Sequence, residues 1–176
     1  PRSFNMGVRR ETYLDLGGFS EMRFGEDIDF STRIFKSGAR CRLFPEAWVW
    51  HKRRTDLKKF FKQVHNSGIA RINLTKRHPG TLKLVHLLPA AFTLGLALLL
   101  LAAPLCPWSL LPIGVFAVLI GTDAALRERS LKVGLIAIAA ALVQLTGYGT
   151  GFLRAWWQRC VQGKGEFEAF RKNFYK

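Results

Sequence analysis

The sequence predicts a mixed α/β soluble portion followed by about three transmembrane helices. Three observations carry this expectation. Residues 1–83 are polar and basic, and helix-like and strand-like periodicities succeed one another along them. Residues 84–122 then contain no Asp, Glu, Lys or Arg, and residues 133–153 form a second such run. About 20 apolar residues suffice to cross the hydrocarbon core of a bilayer, so both runs reach membrane-spanning size.

"VRRETYLDLGGF" reads as a short helix over residues 9–16, stopped by Gly17-Gly18. "MRFGEDIDFSTRIFKSG" contains a second helix over residues 26–37. Glu26, Asp27 and Asp29 crowd its first turn, where the N-terminal partial positive charge favours acids. Gly38 stands where a left-handed C-terminal cap is wanted. "RCRLF" alternates charged and apolar residues, the period of a half-buried strand. Pro45 interrupts it, and "AWVW" continues as a short aromatic strand ending at His51. Thr55 is placed to cap the next helix, with Asp56 in its first turn. Leu57, Phe60, Phe61 and Val64 then form one apolar stripe, with Lys58, Lys59 and Lys62 on the remaining surface. The stripe suits packing on a domain or lying at the membrane interface, and the two are compatible.

The first uncharged run is too long for one span. "APLCPWSLLP", with Pro104, Pro107 and Pro112, is its natural break, because proline cannot continue a helix. Spans are therefore expected at about 84–104, 108–126 and 133–154, with a basic tail over 155–176. Asp123 falls near the end of the second span, where a structural role suits it. "GYGTG", residues 147–151, permits close helix contact, most simply within the same chain. Lys and Arg in short loops put residues 1–83 and the loop "RERSLK" in the cytoplasm. Three full spans would then send the tail, with Arg154, Arg159, Lys164, Arg171, Lys172 and Lys176, to the far side. That conflict leaves three options: an exception to the rule, a re-entrant segment, or a further span.

The chain has 176 residues and a formal net charge of +15. Nucleic acid is not the expected partner, since no basic-aromatic recognition motif or one-sided recognition helix is present. Cys41, Cys106 and Cys160 lie far apart, without metal-ligand or redox spacing. The opening residues read like the middle of a domain, and 83 soluble residues could barely bury an independent core. A C-terminal piece of a longer protein is the expectation.

Taken in order, "FNMGVRRETYLDLGGF", "GEDIDFSTRIFKSG" and "RLFPEAWVWH" resemble the C-terminal half of a family-2 glycosyltransferase with the GT-A fold, in its membrane-attached branch. The resemblance covers residues 1 to about 75. It implies that Asp27 is the catalytic base of an inverting transfer and that Glu26 orients it or touches the acceptor. A helix start favours negative charge and fixes the direction of the carboxylate. Asn5, Arg10 and Asp29 fall where the resemblance implies substrate binding. His51 matches a position that contributes to the divalent metal, Mn²⁺ or Mg²⁺, held by the nucleotide diphosphate; imidazole suits the former better. The implied partners are a nucleotide-sugar donor, a lipid-linked or envelope glycan acceptor, and membrane lipids.

Two departures shape the reading. The family's Asp-x-Asp is not in this chain, and "EDID" is not that motif. The Gln-x-x-Arg-Trp of processive synthases is also absent, since Gln63 is followed by Asn66-Ser67. Addition of one sugar is therefore favoured over processive polysaccharide synthesis. The non-enzymatic alternative is a basic membrane anchor using Lys58, Lys59 and Lys62.

Overall fold

The computed structural model describes residues 5–51 and 56–171. Its regular elements are helices: α1 (Arg10–Asp15), α2 (Glu26–Lys36), α3 (Leu57–Arg77), α4 (Leu88–Ala102), α5 (Leu111–Glu128), α6 (Leu131–Trp156) and α7 (Glu168–Arg171). Among the described residues there is no strand, which corrects the α/β expectation. Residues 39–51 are irregular, and Leu43 and Trp50 are 85% and 91% exposed. A strand needs a neighbour to pair its N–H and C=O groups, and no described segment offers one. Alternation in "RCRLF" and the aromatics of "AWVW" thus find neither ladder nor core.

The short helices are shaped by their ends. α1 closes through Gly17 and Gly18, at φ 70° and 67°. A Cβ on Gly18 would stand 2.7 Å from the Tyr13 ring, so the turn needs glycine for space as well as for backbone freedom. The turn delivers Phe19 onto Phe30, with ring centroids 4.9 Å apart, and Tyr13 meets Phe30 at 5.5 Å. Phe30 is completely buried, so this aromatic cluster fastens α1 to α2. α2 ends at Lys36, and Gly38 takes φ 76° just beyond it, the left-handed stop expected there. For α3, Thr55 lies outside the described residues. Asp56 is itself the cap, its carboxylate accepting from the Lys59 N–H at 2.8 Å, rather than a first-turn acid.

Three helical segments are long and apolar enough to cross a membrane: Leu84–Ala102, Pro107–Glu128 and Leu131–Val161. α6 is the spine on which the others pack. Its glycines alternate between neighbours. Added Cβ atoms at Gly147 and Gly151 would strike Val64 and the His65 carbonyl of α3, and at Gly149 the Pro89 carbonyl and Thr93 of α4. α3 answers with Gly68, which sits on the backbone of Tyr148 and Phe152. Backbones approach this closely only where side chains are missing. In α3 the buried positions are Val64 and then Gly68 to Ala70 and Ile72 to Leu74, whereas Leu57 and Phe61 stay exposed. The expected stripe is therefore buried only at its last member.

Residues 157–171 fold back onto α3. Phe170 is buried with Ile69, Ala70, Ile72, Phe152 and Ala155, and Phe24 packs beside it, ring centroids 5.0 Å apart. The Arg23 N–H donates to the Phe170 carbonyl at 3.3 Å. Glu166 pairs with Arg77 at 3.4 Å and lies 3.8 Å from Arg159.

Candidate active site

The site is built at the start of α2. Gly25, at φ 86°, turns the chain into the helix and lies against α3, where a Cβ would approach Leu74 at 3.2 Å and Ala70 at 3.6 Å. The acid cluster is thereby seated on the helix that packs on α6. Asp27 is buried, with 7% of its surface exposed. Its Oδ1 accepts from the Ile28 N–H at 2.9 Å, an orphan donor of the helix start. Glu26, beside it, is half-buried.

Asp29 is more fully enclosed, at 3% exposure. Oδ2 accepts from Arg33 Nε at 2.9 Å, and Oδ1 lies 2.8 Å from His78 Nε2 at the end of α3. His78 Nδ1 is 3.3 Å from Lys36 Nζ. One tautomer satisfies both contacts: Nε2–H donates to Asp29, and Nδ1 accepts from Lys36. Arg33 also donates to the carbonyls of Leu16 and Gly18, tying the Gly-Gly turn to α2. Burial pushes the Asp29 carboxyl upward, but hydrogen bonds from His78 and Arg33, with the Arg33 charge, outweigh it. The net effect holds Asp29 below the ordinary carboxylate range.

The remaining sequence candidates are spread out. Arg10 opens α1 and is exposed. Asn5 donates from Nδ2 to the Ala47 carbonyl at 3.2 Å, linking the start of the described chain to the 39–51 segment. His51 ends that segment, exposed. No group of three His, Cys, Asp or Glu close enough to share a metal ion occurs among the described residues, so His51 would be one ligand and not a site. A cleft of about 390 Å³ is lined by Glu21, Arg77, Arg159, Gly165 and Glu166, and none of the candidates read from the sequence is among its lining residues.

Arg33 and His78 were missed in the sequence. The first was legible, because Asp29 and Arg33 are four residues apart on one helix. His78 was not, since 49 residues separate it from its partner.

The match that decides the family runs over residues 4–148, to glycosyl transferase family group 2. The chain belongs to that family. Among curated proteins, the pre-mycofactocin glycosyltransferases of Mycobacterium tuberculosis strains CDC 1551 / Oshkosh and ATCC 25618 / H37Rv are each 39% identical over 72 residues. That stretch is 40% of this chain and 15% of those relatives, so the chain spans only a small part of their length. No solved structure matches.

Proposed function

We propose that this chain is the acceptor-side and membrane-attached part of an inverting glycosyltransferase with a GT-A catalytic domain. It would move one sugar from a nucleotide-sugar donor to a lipid-linked or cell-envelope glycan acceptor. The observation that carries the reading is Asp27, a shielded carboxylate on the first turn of a helix whose N-terminus is braced against α3 and, through it, against an apolar membrane helix. In this reading the Asp27 carboxylate takes the proton of an acceptor hydroxyl as that oxygen attacks the anomeric carbon. The bond from that carbon to the diphosphate breaks, and its electron pair leaves with the nucleotide diphosphate. Inversion follows from a single displacement.

Glu26, the more exposed of the pair, orients Asp27 or meets the acceptor. Asn5 and Arg10 contribute to substrate binding from the rim. Asp29, both of whose oxygens are engaged by protein side chains, serves substrate binding by holding α2 in place. His51 would be a ligand to a divalent ion on the donor diphosphate, and the roles of Asp27 and Glu26 do not depend on it. Residues 1–83 face the cytoplasm at the inner membrane, where nucleotide sugars are available. Anchoring the site to α6 replaces a three-dimensional search for a lipid-borne acceptor by a local one.

The test is Asp27→Asn in the full-length enzyme, with transfer and nucleotide-sugar binding measured separately. Transfer is expected to fall by at least about 10²-fold, the usual contribution of a general base, with donor binding little changed. Transfer at the unmodified rate would remove Asp27 from the mechanism.

A further inference from the structure

We propose that only α5 and α6 cross the bilayer, while α4 lies along the leaflet nearest the soluble part, so that residues 5–83 and the C-terminal tail share one side. The first line of evidence is parity. Phe170 is buried among Ile69, Ala70 and Ile72 of α3, the Arg23 N–H donates to its carbonyl, and Glu166 pairs with Arg77. Segments that touch in this way stand on the same side of a membrane. The chain between α3 and the tail must then cross an even number of times, yet it holds three long apolar helices.

The second line identifies the helix that does not cross. α5 and α6 run antiparallel: Gly121 faces Gly134 and Ile138, and Ala125 also meets Gly134. Both helices rise equally per residue, so in this register the start of α5 stands opposite about residues 145–150 of α6. The beginning of α4 touches α6 at that same depth. A Cβ on Gly149 would strike Pro89 and Thr93, and the Thr93 hydroxyl lies 3.3 Å from the Leu145 carbonyl. Near the other end of α4, the Leu99 carbonyl accepts from Ser109 Oγ at 2.9 Å, just before α5 begins. Thus Pro89 and Leu99, about 15 Å apart along the helix axis, stand at a similar level of α6, while Phe92 between them reaches Phe116 of α5, ring centroids 5.2 Å apart. A crossing helix would have traversed half the hydrocarbon over that distance.

α4 exposes Leu94, Leu98, Leu100 and Leu101, a surface suited to acyl chains whether the helix lies or crosses. The Ser109 bond also satisfies a carbonyl near its C-terminal end, as a helix ending within the membrane requires. Two crossings place Arg154, Arg159 and Lys164 with the basic soluble part and Arg127, Arg129 and Lys132 opposite. That distribution keeps the tail with the basic soluble part and moves the loop "RERSLK", which the charge rule alone places in the cytoplasm, to the far side; three crossings make the opposite exchange.

The cysteines supply the experiment, because Cys41 and Cys160 are free and exposed. Chains with a single thiol at Cys41, at Cys160 or at a new site from Glu128→Cys are placed in sealed vesicles of both orientations and treated with a membrane-impermeant maleimide. Lys132→Cys serves as a second marker of the same loop should Glu128→Cys fail to assemble. Labelling of Cys41 and Cys160 from one face and of the loop thiol from the other is the expected result. Labelling of Cys160 from the face opposite Cys41, or of the loop thiol from the face of Cys41, would overturn the proposal. The outcome is independent of whether Asp27 is a base.

Discussion

Asp27 and Asp29 are two residues apart on one helix and have different surroundings. Asp27 satisfies a backbone donor of its own helix start, whereas Asp29 joins α2 to the end of α3 through His78. Removing a partner from a buried ion-paired network leaves the others uncompensated, so Asp29→Ala is expected to destabilise the protein by about 3 kcal/mol. Thermal unfolding in detergent measures this. The acid dependence has a definite sign. The folded-state carboxyl is held below its ordinary value, so on acidification the unfolded chain takes up the proton first. The stabilisation is fully present above the ordinary carboxylate pKa of about 3.9 and is lost as pH falls through the lower folded value. Asp29→Asn should therefore lose stability at neutral pH and show a shallower acid limb, read from unfolding midpoints across pH 2–6.

At the scale of elements, the α3–α6 contact is built from absent side chains. A Cβ at Gly151 would overlap the His65 carbonyl, a backbone atom that cannot swing away. Gly151→Ala must then part the helices, at a cost of about 1–3 kcal/mol, the usual range for overpacking. Gly114 in α5 has nothing within 4 Å of its would-be Cβ, so Gly114→Ala is expected to be neutral or to stabilise by up to about 1 kcal/mol. Melting the two variants side by side separates a packing effect from helix propensity. The same contact places His65 Nδ1 3.1 Å from Thr150 Oγ1, and burial together with the nearby Arg154 holds that imidazole below its usual range. Burial and a nearby positive charge both favour the neutral ring.

For the whole molecule, the tail is part of the core and not an appendage. Phe170, 4% exposed, fills space between α3, α6 and Phe24. Phe170→Ala is expected to destabilise by about 3 kcal/mol, through lost burial and the cavity left behind. Calorimetric or fluorescence-monitored unfolding in detergent would check it, and loss of the Arg23–Phe170 backbone bond should appear as faster amide exchange at Arg23. Docking of the tail on α3 bears on the conflict in the charge pattern, and the two-crossing arrangement proposed above is one way to meet it.

The sequence alone determined whatever depends on neighbours along the chain. Helix ends were legible from Gly17-Gly18 and Gly38, the apolar runs from composition, and the close helix contact from the spacing of Gly147 and Gly151. The family followed from the order of short motifs, and the acid-rich start of α2 from its position. Only the tertiary structure decided that residues 39–51 form no strand, because pairing depends on a partner that alternation cannot report. Likewise, Asp29 found His78 and Phe170 found Phe24 across long stretches of sequence. Burial and hydrogen bonding join residues by distance in space, and local periodicity records distance along one element only.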